Sequence, residues 1–186
     1  MRDPRRVAIL ISGRGSNMRA LVQRAENYEV ALVASNKPDA AGLEWAHARG
    51  LPTWSLESKG TQKEAYDRIL SDVLEDHAVG SIALAGFMRI LSRWFVEEWR
   101  GRMINIHPSL LPKYPGLDTH ARAIEAGDTV GGCSVHIVTE ELDAGEVLGQ
   151  AEVPIKSADT PALLERRVLS AEHRLYPSVL NEFVLR

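Results

Sequence analysis

The sequence has a single cysteine, little net charge and no long apolar run. Each of these features excludes some classes of protein or site. One cysteine, Cys133, excludes an internal disulfide and a cysteine-based zinc site. Because apolar residues lie near it, we expect Cys133 to be a buried structural residue rather than a nucleophile. The formal net charge of −3 gives no electrostatic reason to expect nucleic acid or an anionic membrane as a partner.

The basic residues at the start of the sequence are followed by only a short apolar run at 7–12. A signal peptide needs a longer apolar core, and a membrane span needs about 20 apolar residues. The sequence meets neither requirement, so we expect a cytoplasmic protein that is not bound to a membrane.

Short apolar segments alternate with helical patterns up to residue 106 and predict repeated βα units. Such units favour an α/β fold with an open, mostly parallel, Rossmann-like sheet and helices on both faces. The 186 residues carry no linker or repeat, so we expect one domain, 1–186, with strands of mixed direction in its carboxyl-terminal part. The predicted strands are 7–12, 30–35, 52–55, 81–85, 103–106, 134–139 and 146–154. The predicted helices are 17–24, 41–49, 61–75, 119–126 and a last helix from 161 to about 174 or beyond.

The third and last of these helices have recognisable start signals. Thr61 and Glu64 form a capping-box pattern that predicts a helix beginning at Thr61. Pro161 suits the first turn of the last helix. The predicted buried face of the third helix consists of Ala65, Ile69, Leu70, Val73 and Leu74.

A glycine-rich turn, 12–17, lies between the first predicted strand and the first predicted helix. Its backbone N–H groups and the amino end of the helix would form an anion site suited to a phosphate. A dinucleotide fingerprint requires glycine at position 18, where Met18 stands, and the P-loop lysine is absent. The turn therefore favours a monophosphate over NAD or ATP. A tight turn in which Ser16 or Asn17 caps the helix is the alternative.

An amide, an imidazole and a carboxylate are the candidate catalytic groups: Asn105, His107 and Asp143. Asn105 and His107 lie two residues apart on a predicted strand, so their side chains project from the same side. Pro108 ends that strand, and open α/β folds place their chemistry at the carboxyl ends of strands. Asn105 can donate to a developing oxyanion, His107 can move a proton, and Asp143 can favour the charged imidazole. A packed turn histidine near turn-forming residues is the alternative.

Other catalytic chemistries have little support in the sequence. The remaining histidines do not match a metal-binding spacing such as H-E-x-x-H, so no metal is expected. Ser109 does not lie in a G-x-S-x-G motif, which argues against a covalent serine intermediate. Direct transfer of an acyl group is therefore the favoured chemistry.

Four motifs together resemble the phosphoribosylglycinamide formyltransferases, a family within the formyltransferase superfamily. They are ISGRGSN at 11–17, LAGFMRIL at 84–91, NIHPSLLPKYPGL at 105–117 and ELDAG at 141–145. The run NIHPSLLP and the aspartate loop are shared by the wider superfamily, whereas the GxGSN turn and the KYPGL continuation are more specific. The resemblance implies the formyltransferase fold and transfer of a formyl group from 10-formyltetrahydrofolate to the amine of 5-phosphoribosylglycinamide in purine biosynthesis.

The resemblance also implies binding residues for both small molecules. The nucleotide would be bound by Gly15, Ser16, Asn17 and Glu172, with its phosphate on the glycine turn. The folate would be bound by Lys63, Met88, Arg89, Ile90, Leu91 and Asn105. Its pocket would also be lined by Leu84, Phe95, Val96, Ile104 and Val138. Without the resemblance, Glu172 would be interpreted as an exposed helical carboxylate.

Two alternatives to formyl transfer remain open. Water can replace the amine, in which case the protein hydrolyses 10-formyltetrahydrofolate as formyltetrahydrofolate deformylases do. A protein that binds the nucleotide or the folate without catalysis is the second alternative. The expected partners are small-molecule substrates, with 10-formyltetrahydrofolate as formyl donor and neither nucleic acid nor membrane involved. The helix faces also allow a homodimer.

Overall fold

The computed structural model describes residues 2–186, and these contain one seven-stranded sheet and six helices. The strands are β1 (Arg6–Ile11), β2 (Glu29–Ser35), β3 (Thr53–Ser55), β4 (Ser81–Leu84), β5 (Met103–His107), β6 (Val130–Ile137) and β7 (Val147–Pro154). The helices are α1 (Ser16–Gln23), α2 (Ala41–His47), α3 (Lys63–Asp76), α4 (Arg93–Glu98), α5 (Thr119–Glu125) and α6 (Pro161–Phe183).

The strand order is β3-β2-β1-β4-β5-β6-β7. The first five strands in this order are parallel, and β6 and β7 are antiparallel to their neighbours. The predicted mostly parallel sheet with mixed direction in the carboxyl-terminal part is therefore confirmed. The strand order reverses between β1 and β4, and an open α/β sheet forms its binding crevice at such a point. The glycine turn follows β1, and the LAGFMRIL motif follows β4.

Alternate strand residues pack into two apolar cores on opposite faces of the sheet. Ile9 and Ile11 of β1 pack with residues of α1, α2 and α6. Ala8 and Leu10 pack with residues of α3 and α4 on the other face. Because β1 is buried on both faces, its sequence is almost continuously apolar, as a central parallel strand requires.

Three elements differ from their predicted extents. Helix α4 was not predicted, because its six residues are too few to show a helical period. Strand β6 begins at Val130 rather than 134, and it includes the two glycines Gly131 and Gly132. A Cβ on Gly132 would lie 2.1 Å from Ala151 O of β7, so glycine permits the close pairing there. Helix α6 continues past 174 to Phe183, with Pro177 inside it.

The predicted capping box at Thr61 was wrong. Helix α3 begins at Lys63, and Gln62 occupies the capping position without a side-chain hydrogen bond to the helix. Thr61 Oγ1 donates instead to Glu57 O at 3.5 Å. The sequence pattern was present, but Thr61 lies one residue too early to act as the cap.

The predicted buried face of α3 was also partly wrong. Leu70 and Leu74 are buried as predicted and Val73 is partly buried, but Ile69 is 44% exposed and Ala65 is exposed as well. Tyr66 and Asp67 are buried in their place. A face chosen from aliphatic residues alone missed an aromatic residue and a charged residue that point into the protein.

Helix α6 is joined to the sheet by the buried side chain of Tyr176. The Tyr176 hydroxyl lies 3.0 Å from Leu84 O of β4 and 3.1 Å from Ile104 O of β5, and it donates to these carbonyls. Burial raises the pKa of Tyr176, so the hydroxyl keeps its hydrogen. Although α6 has 23 residues, no helix between residues 2 and 186 is long and apolar enough to cross a membrane.

We predict that Tyr176→Phe lowers the free energy of unfolding by about 1–3 kcal/mol, because two buried strand carbonyls lose their shared donor. Urea unfolding followed by circular dichroism measures this loss. Ser170→Ala on the exposed side of the same helix is the control and should change stability by less than about 0.5 kcal/mol. Equal stability of the Tyr176→Phe variant and the control would contradict the proposed link.

Candidate active site

Strand β5 carries two polar side chains on one face of the sheet. It ends at His107, directly before Pro108. Ile104 and Ile106 pack into the core beside α6, whereas Met103 packs into the core beside α3 and α4. Because successive strand residues alternate between faces, Asn105 and His107 lie on the same face as Met103. The prediction that the side chains of these two residues project from the same side of the strand is therefore confirmed.

The carboxylate of Asp143 lies among the polar side chains of that face. Asp143 Oδ2 is 3.4 Å from His107 Nδ1, and Asp143 Oδ1 is 3.5 Å from His136 Nε2. The backbone N–H of Gly116 donates to Asp143 Oδ2 at 2.9 Å. All three side chains are almost completely buried. Two loops, 108–118 and 138–146, thus meet at one carboxylate.

The surroundings of Asp143 keep it ionised. Burial by itself raises the pKa of this carboxyl group, but His136, the Gly116 N–H and His107 together lower it below its ordinary value of 3.8. Opposite charges and hydrogen-bond donors favour the ionised form more strongly than burial disfavours it. The site therefore contains a fixed negative charge at neutral pH.

Backbone geometry brings Asp143 to this position. Asp143 has a left-handed conformation, φ 52°, which aspartate tolerates better than bulkier residues do. Gly145 approaches β6 so closely that a Cβ on it would lie 1.8 Å from Ile137 O. The aspartate loop therefore needs glycine at position 145 to pack against β6.

Both ring nitrogens of His107 face acceptor atoms. Nε2 lies 2.9 Å from Tyr114 O, and Nδ1 lies 3.4 Å from the Asp143 carboxylate. A neutral imidazole has one N–H, whereas an imidazolium has two. A hydrogen on Nε2 is therefore directed at Tyr114 O, and a hydrogen on Nδ1 is directed at the Asp143 carboxylate.

His136 belongs to the same cluster and was missed as a site residue in the sequence. It pairs with Asn105 across β5 and β6. Its Nδ1 donates to Ile137 O at 2.9 Å, and its Nε2 lies 3.2 Å from Asn105 Nδ2. A polar residue within an apolar strand was the available signal, but only the long-range pairing of β5 with β6 places it beside Asn105.

The glycine turn leaves the amino end of α1 without a side-chain cap. Gly15 occupies the capping position with φ 70°, and the side chains of the described residues make no capping hydrogen bond there. Asn17 Nδ2 donates instead to Glu172 Oε2 at 2.7 Å. The alternative in which Ser16 or Asn17 caps the helix is therefore not observed. Backbone N–H groups at this helix end are available to an anion.

Glu172 is buried next to the glycine turn, so its interpretation as an exposed helical carboxylate was wrong. Only 6% of the residue is exposed. Burial raises its pKa to about 7, although the hydrogen bond from Asn17 partly opposes the shift. Glu172 can therefore change its charge near neutral pH.

The residues implied in folate binding have mixed surroundings. Met88 and Ile90 are each 71% exposed, whereas Leu91 is buried. Exposed apolar side chains beside a polar cluster are typical of a ligand-binding surface. Lys63 is exposed at the start of α3.

The further pocket-lining residues are mostly core residues. Phe95 is fully buried and stacks on Trp99. Ile104 packs on the opposite face, beside α6, so its predicted place in the folate pocket was wrong. Leu84, Val96 and Val138 belong to the core beside α3 and α4.

The side chains that could bind a metal do not assemble into a metal site in the described part of the chain. Within residues 2–186, no three histidine, cysteine, aspartate or glutamate side chains are grouped so that they could hold a metal ion. Cys133 is fully buried in β6, and burial raises its pKa to about 12. The predicted structural role of Cys133 is thus confirmed.

Comparison with known proteins gives a consistent family match. The formyl transferase family matches residues 5–180. Phosphoribosylglycinamide formyltransferase of Escherichia coli (strain K12) is 47% identical over 182 residues, which cover 95% of this chain and 86% of that protein. The crystal structure of phosphoribosylglycinamide formyltransferase from Brucella melitensis has a TM-score of 0.92 at 46% identity, covering 98% of this chain and 96% of that chain.

Some relatives are much longer proteins. The human trifunctional purine biosynthetic protein adenosine-3 is 45% identical over 181 residues, which cover 95% of this chain. The chain spans only 18% of the length of that relative, so it corresponds to one part of it.

We predict that the stability of the protein without substrates falls as pH rises from 4.5 to about 7. The folded pKa of Glu172 lies above its ordinary value, so the unfolded chain releases a proton that the folded protein retains in this window. Stability must then decrease with pH. Glu172→Gln should remove this decrease and gain roughly 2–3 kcal/mol relative to the wild type between acidic and neutral pH.

Urea unfolding of both proteins across this pH range measures the difference. Glu182→Gln, an exposed substitution on the same helix whose charge does not contribute to the Glu172 pKa shift, is the matched control and should follow the wild-type pH dependence. A constant difference between Glu172→Gln and the wild type at every pH would contradict the prediction.

Proposed function

The chain belongs to the formyl transferase family, and we propose that it transfers a formyl group from 10-formyltetrahydrofolate to the amine of 5-phosphoribosylglycinamide in purine biosynthesis. The observation that carries this proposal is the cluster of partly exposed Asn105, buried His107 and ionised Asp143 at the same sheet edge as the uncapped amino end of α1. The Escherichia coli relative is named for this activity, and its similarity extends over nearly the whole of this chain. A cytoplasmic location and a homodimer belong to the same proposal.

The nucleotide phosphate binds at the glycine turn. The N–H groups of Gly15, Ser16 and Asn17 lie at the end of α1, where the helix dipole favours an anion. Glu172 adjoins this turn through its hydrogen bond to Asn17 and contacts the sugar or the glycinamide part. The amine is thereby directed toward β5.

The folate lies along the segment that follows β4. Met88, Ile90 and Leu91 supply apolar contacts, Arg89 and its neighbours supply backbone groups, and Lys63 is near the glutamate tail. The formyl carbon lies beside Asn105. Because β4 lies between β1 and β5 in the sheet, the segment after β4 lies between the glycine turn and Asn105, so the donor and the nucleotide can meet beside β5.

The amine attacks the formyl carbon and gives a tetrahedral intermediate with a negatively charged oxygen. The Asn105 amide donates to this oxygen, and His107 donates to it when Nε2 leaves Tyr114 O on substrate binding. The Asp143 carboxylate faces Nδ1 of the same ring, and an imidazole donates a stronger hydrogen bond when it is charged than when it is neutral. The intermediate collapses as the folate nitrogen leaves, and His107 or a water passes the amine proton to that nitrogen.

Neither hydrolysis nor binding without catalysis accounts for both the catalytic cluster and the anion site. Hydrolysis of 10-formyltetrahydrofolate needs the catalytic cluster but has no need of the anion site at α1. A binding protein needs the anion site but has no need of a buried histidine held by an ionised carboxylate. Transfer to a phosphorylated amine uses both.

We predict that the purified protein releases tetrahydrofolate from 10-formyltetrahydrofolate only when 5-phosphoribosylglycinamide is present. Absorbance measures the release. Ribosylglycinamide, which lacks the phosphate, should be a much weaker acceptor because it makes no contact with the α1 site. The Asn105→Ala variant is the negative control and should lose about 10²–10³ in turnover.

Each other result favours a different function. Release without the nucleotide identifies a hydrolase. Binding of both small molecules without release identifies a binding protein.

A further inference from the structure

The segment that follows β4 is held at two points by side chains from neighbouring elements. The backbone N–H of Met88 donates to Ser12 Oγ at 2.7 Å. The N–H of Ser92 donates to Asp67 Oδ2 at 2.5 Å. Ser12 follows β1 and Asp67 lies on α3, so the segment 88–92 is fixed both to the end of β1 and to α3.

Asp67 is unusual because it is completely buried and charged. Its Oδ1 lies 3.6 Å from Arg89 Nε. Neither of these two atoms has a hydrogen bond to any residue from position 2 to the end of the chain. A buried carboxylate is costly unless it is paired, and Arg89 is the cation that pairs it.

Arg89 points toward α3, whereas the side chains on either side of it point outward. Its guanidinium lies 4.4 Å from the ring centroid of Tyr66, and its Nη2 donates to Lys63 O at 3.2 Å. Only 14% of the Arg89 side chain is exposed, compared with 71% of the neighbouring residues Met88 and Ile90. Fixing Arg89 inward therefore fixes the two apolar side chains outward.

We propose that Asp67 is a positioning residue for the formyl donor. It contacts no substrate itself. It holds Ser92 N–H and the Arg89 guanidinium, so that the backbone of 88–92 and the outward side chains of Met88 and Ile90 form a preordered surface for the flat ring of a folate. This inference rests on the proposed function, because that segment must be the donor site.

Preordering affects binding of the donor more than the chemical step. Asp67→Asn keeps an acceptor for Ser92 N–H but removes the charge opposite Arg89. We predict that it raises KM for 10-formyltetrahydrofolate about tenfold and leaves kcat and KM for 5-phosphoribosylglycinamide within about twofold. Asp67→Ala also removes the acceptor, so it should have the larger effect.

A double-mutant cycle separates positioning from a general loss of stability. Arg89→Met keeps the aliphatic stem and removes the charge, so it should raise the same KM. The double variant Asp67→Asn/Arg89→Met should be no worse than either single variant, because no unpaired buried charge remains. The control is Ser71→Ala on the same helix, which removes the buried bond donated by Trp99 Nε1 and should lower stability without changing that KM.

Binding of 10-formyltetrahydrofolate by calorimetry, measured beside turnover, distinguishes the outcomes. If the wild type binds the donor and the Asp67→Asn variant binds it equally well, this inference is overturned but the proposed function is not. Equal increases in both KM values, or a fall in kcat alone, also overturn it. A wild type that does not bind the donor overturns the proposed function and this inference together.

Discussion

The ionised carboxylate of Asp143 is the interaction on which the rest of the site depends. It is buried between two imidazoles and accepts the N–H of Gly116. A buried charge is tolerated only when its partners are in place. The carboxylate therefore fixes the two loops and the side chains of β5 and β6 in one arrangement. The charge that would assist formyl transfer is also the charge that organises its surroundings.

The sheet places the substrate-binding elements around that carboxylate. The reversal of strand order between β1 and β4 leaves a crevice, with the glycine turn and the segment 88–92 beside it. Ser12 connects these two elements, because it follows β1 and accepts the N–H of Met88. Helix α6 supplies Glu172 to the glycine turn and Tyr176 to the strands. A single helix thus contacts both the glycine turn, which is the proposed phosphate site, and the sheet.

The sequence predicted those features that depend on local patterns. Apolar runs such as 7–12 indicated central strands, and the spacing of Asn105 and His107 indicated a common side. The aspartate loop in the sequence suggested that Asp143 approaches His107. Its exact position depends on the left-handed backbone of Asp143 and on the close packing of Gly145 against β6. A single left-handed residue and a close glycine contact produce no periodic pattern in the sequence, so they could not be predicted from it.

Features that depend on distant contacts were missed. His136 enters the site only through the antiparallel pairing of β5 and β6. Asp67 was not among the predicted buried residues of α3, and its cation, Arg89, lies 22 positions later in the chain. Thr61 matched a capping pattern that the chain does not use. For His136 and Asp67, the partner that decides the role of the residue is far away in the sequence, whereas Thr61 lies one residue before the capping position.

The role of the ionised Asp143 is tested most directly by the turnover of Asp143→Asn with both substrates saturating. Asparagine keeps an acceptor for Gly116 N–H and nearly the same shape but removes the negative charge beside His107. We expect kcat to fall by about 10²–10⁴, with smaller changes in both KM values. Near-wild-type turnover of a correctly folded Asp143→Asn enzyme would contradict the catalytic role of this charge.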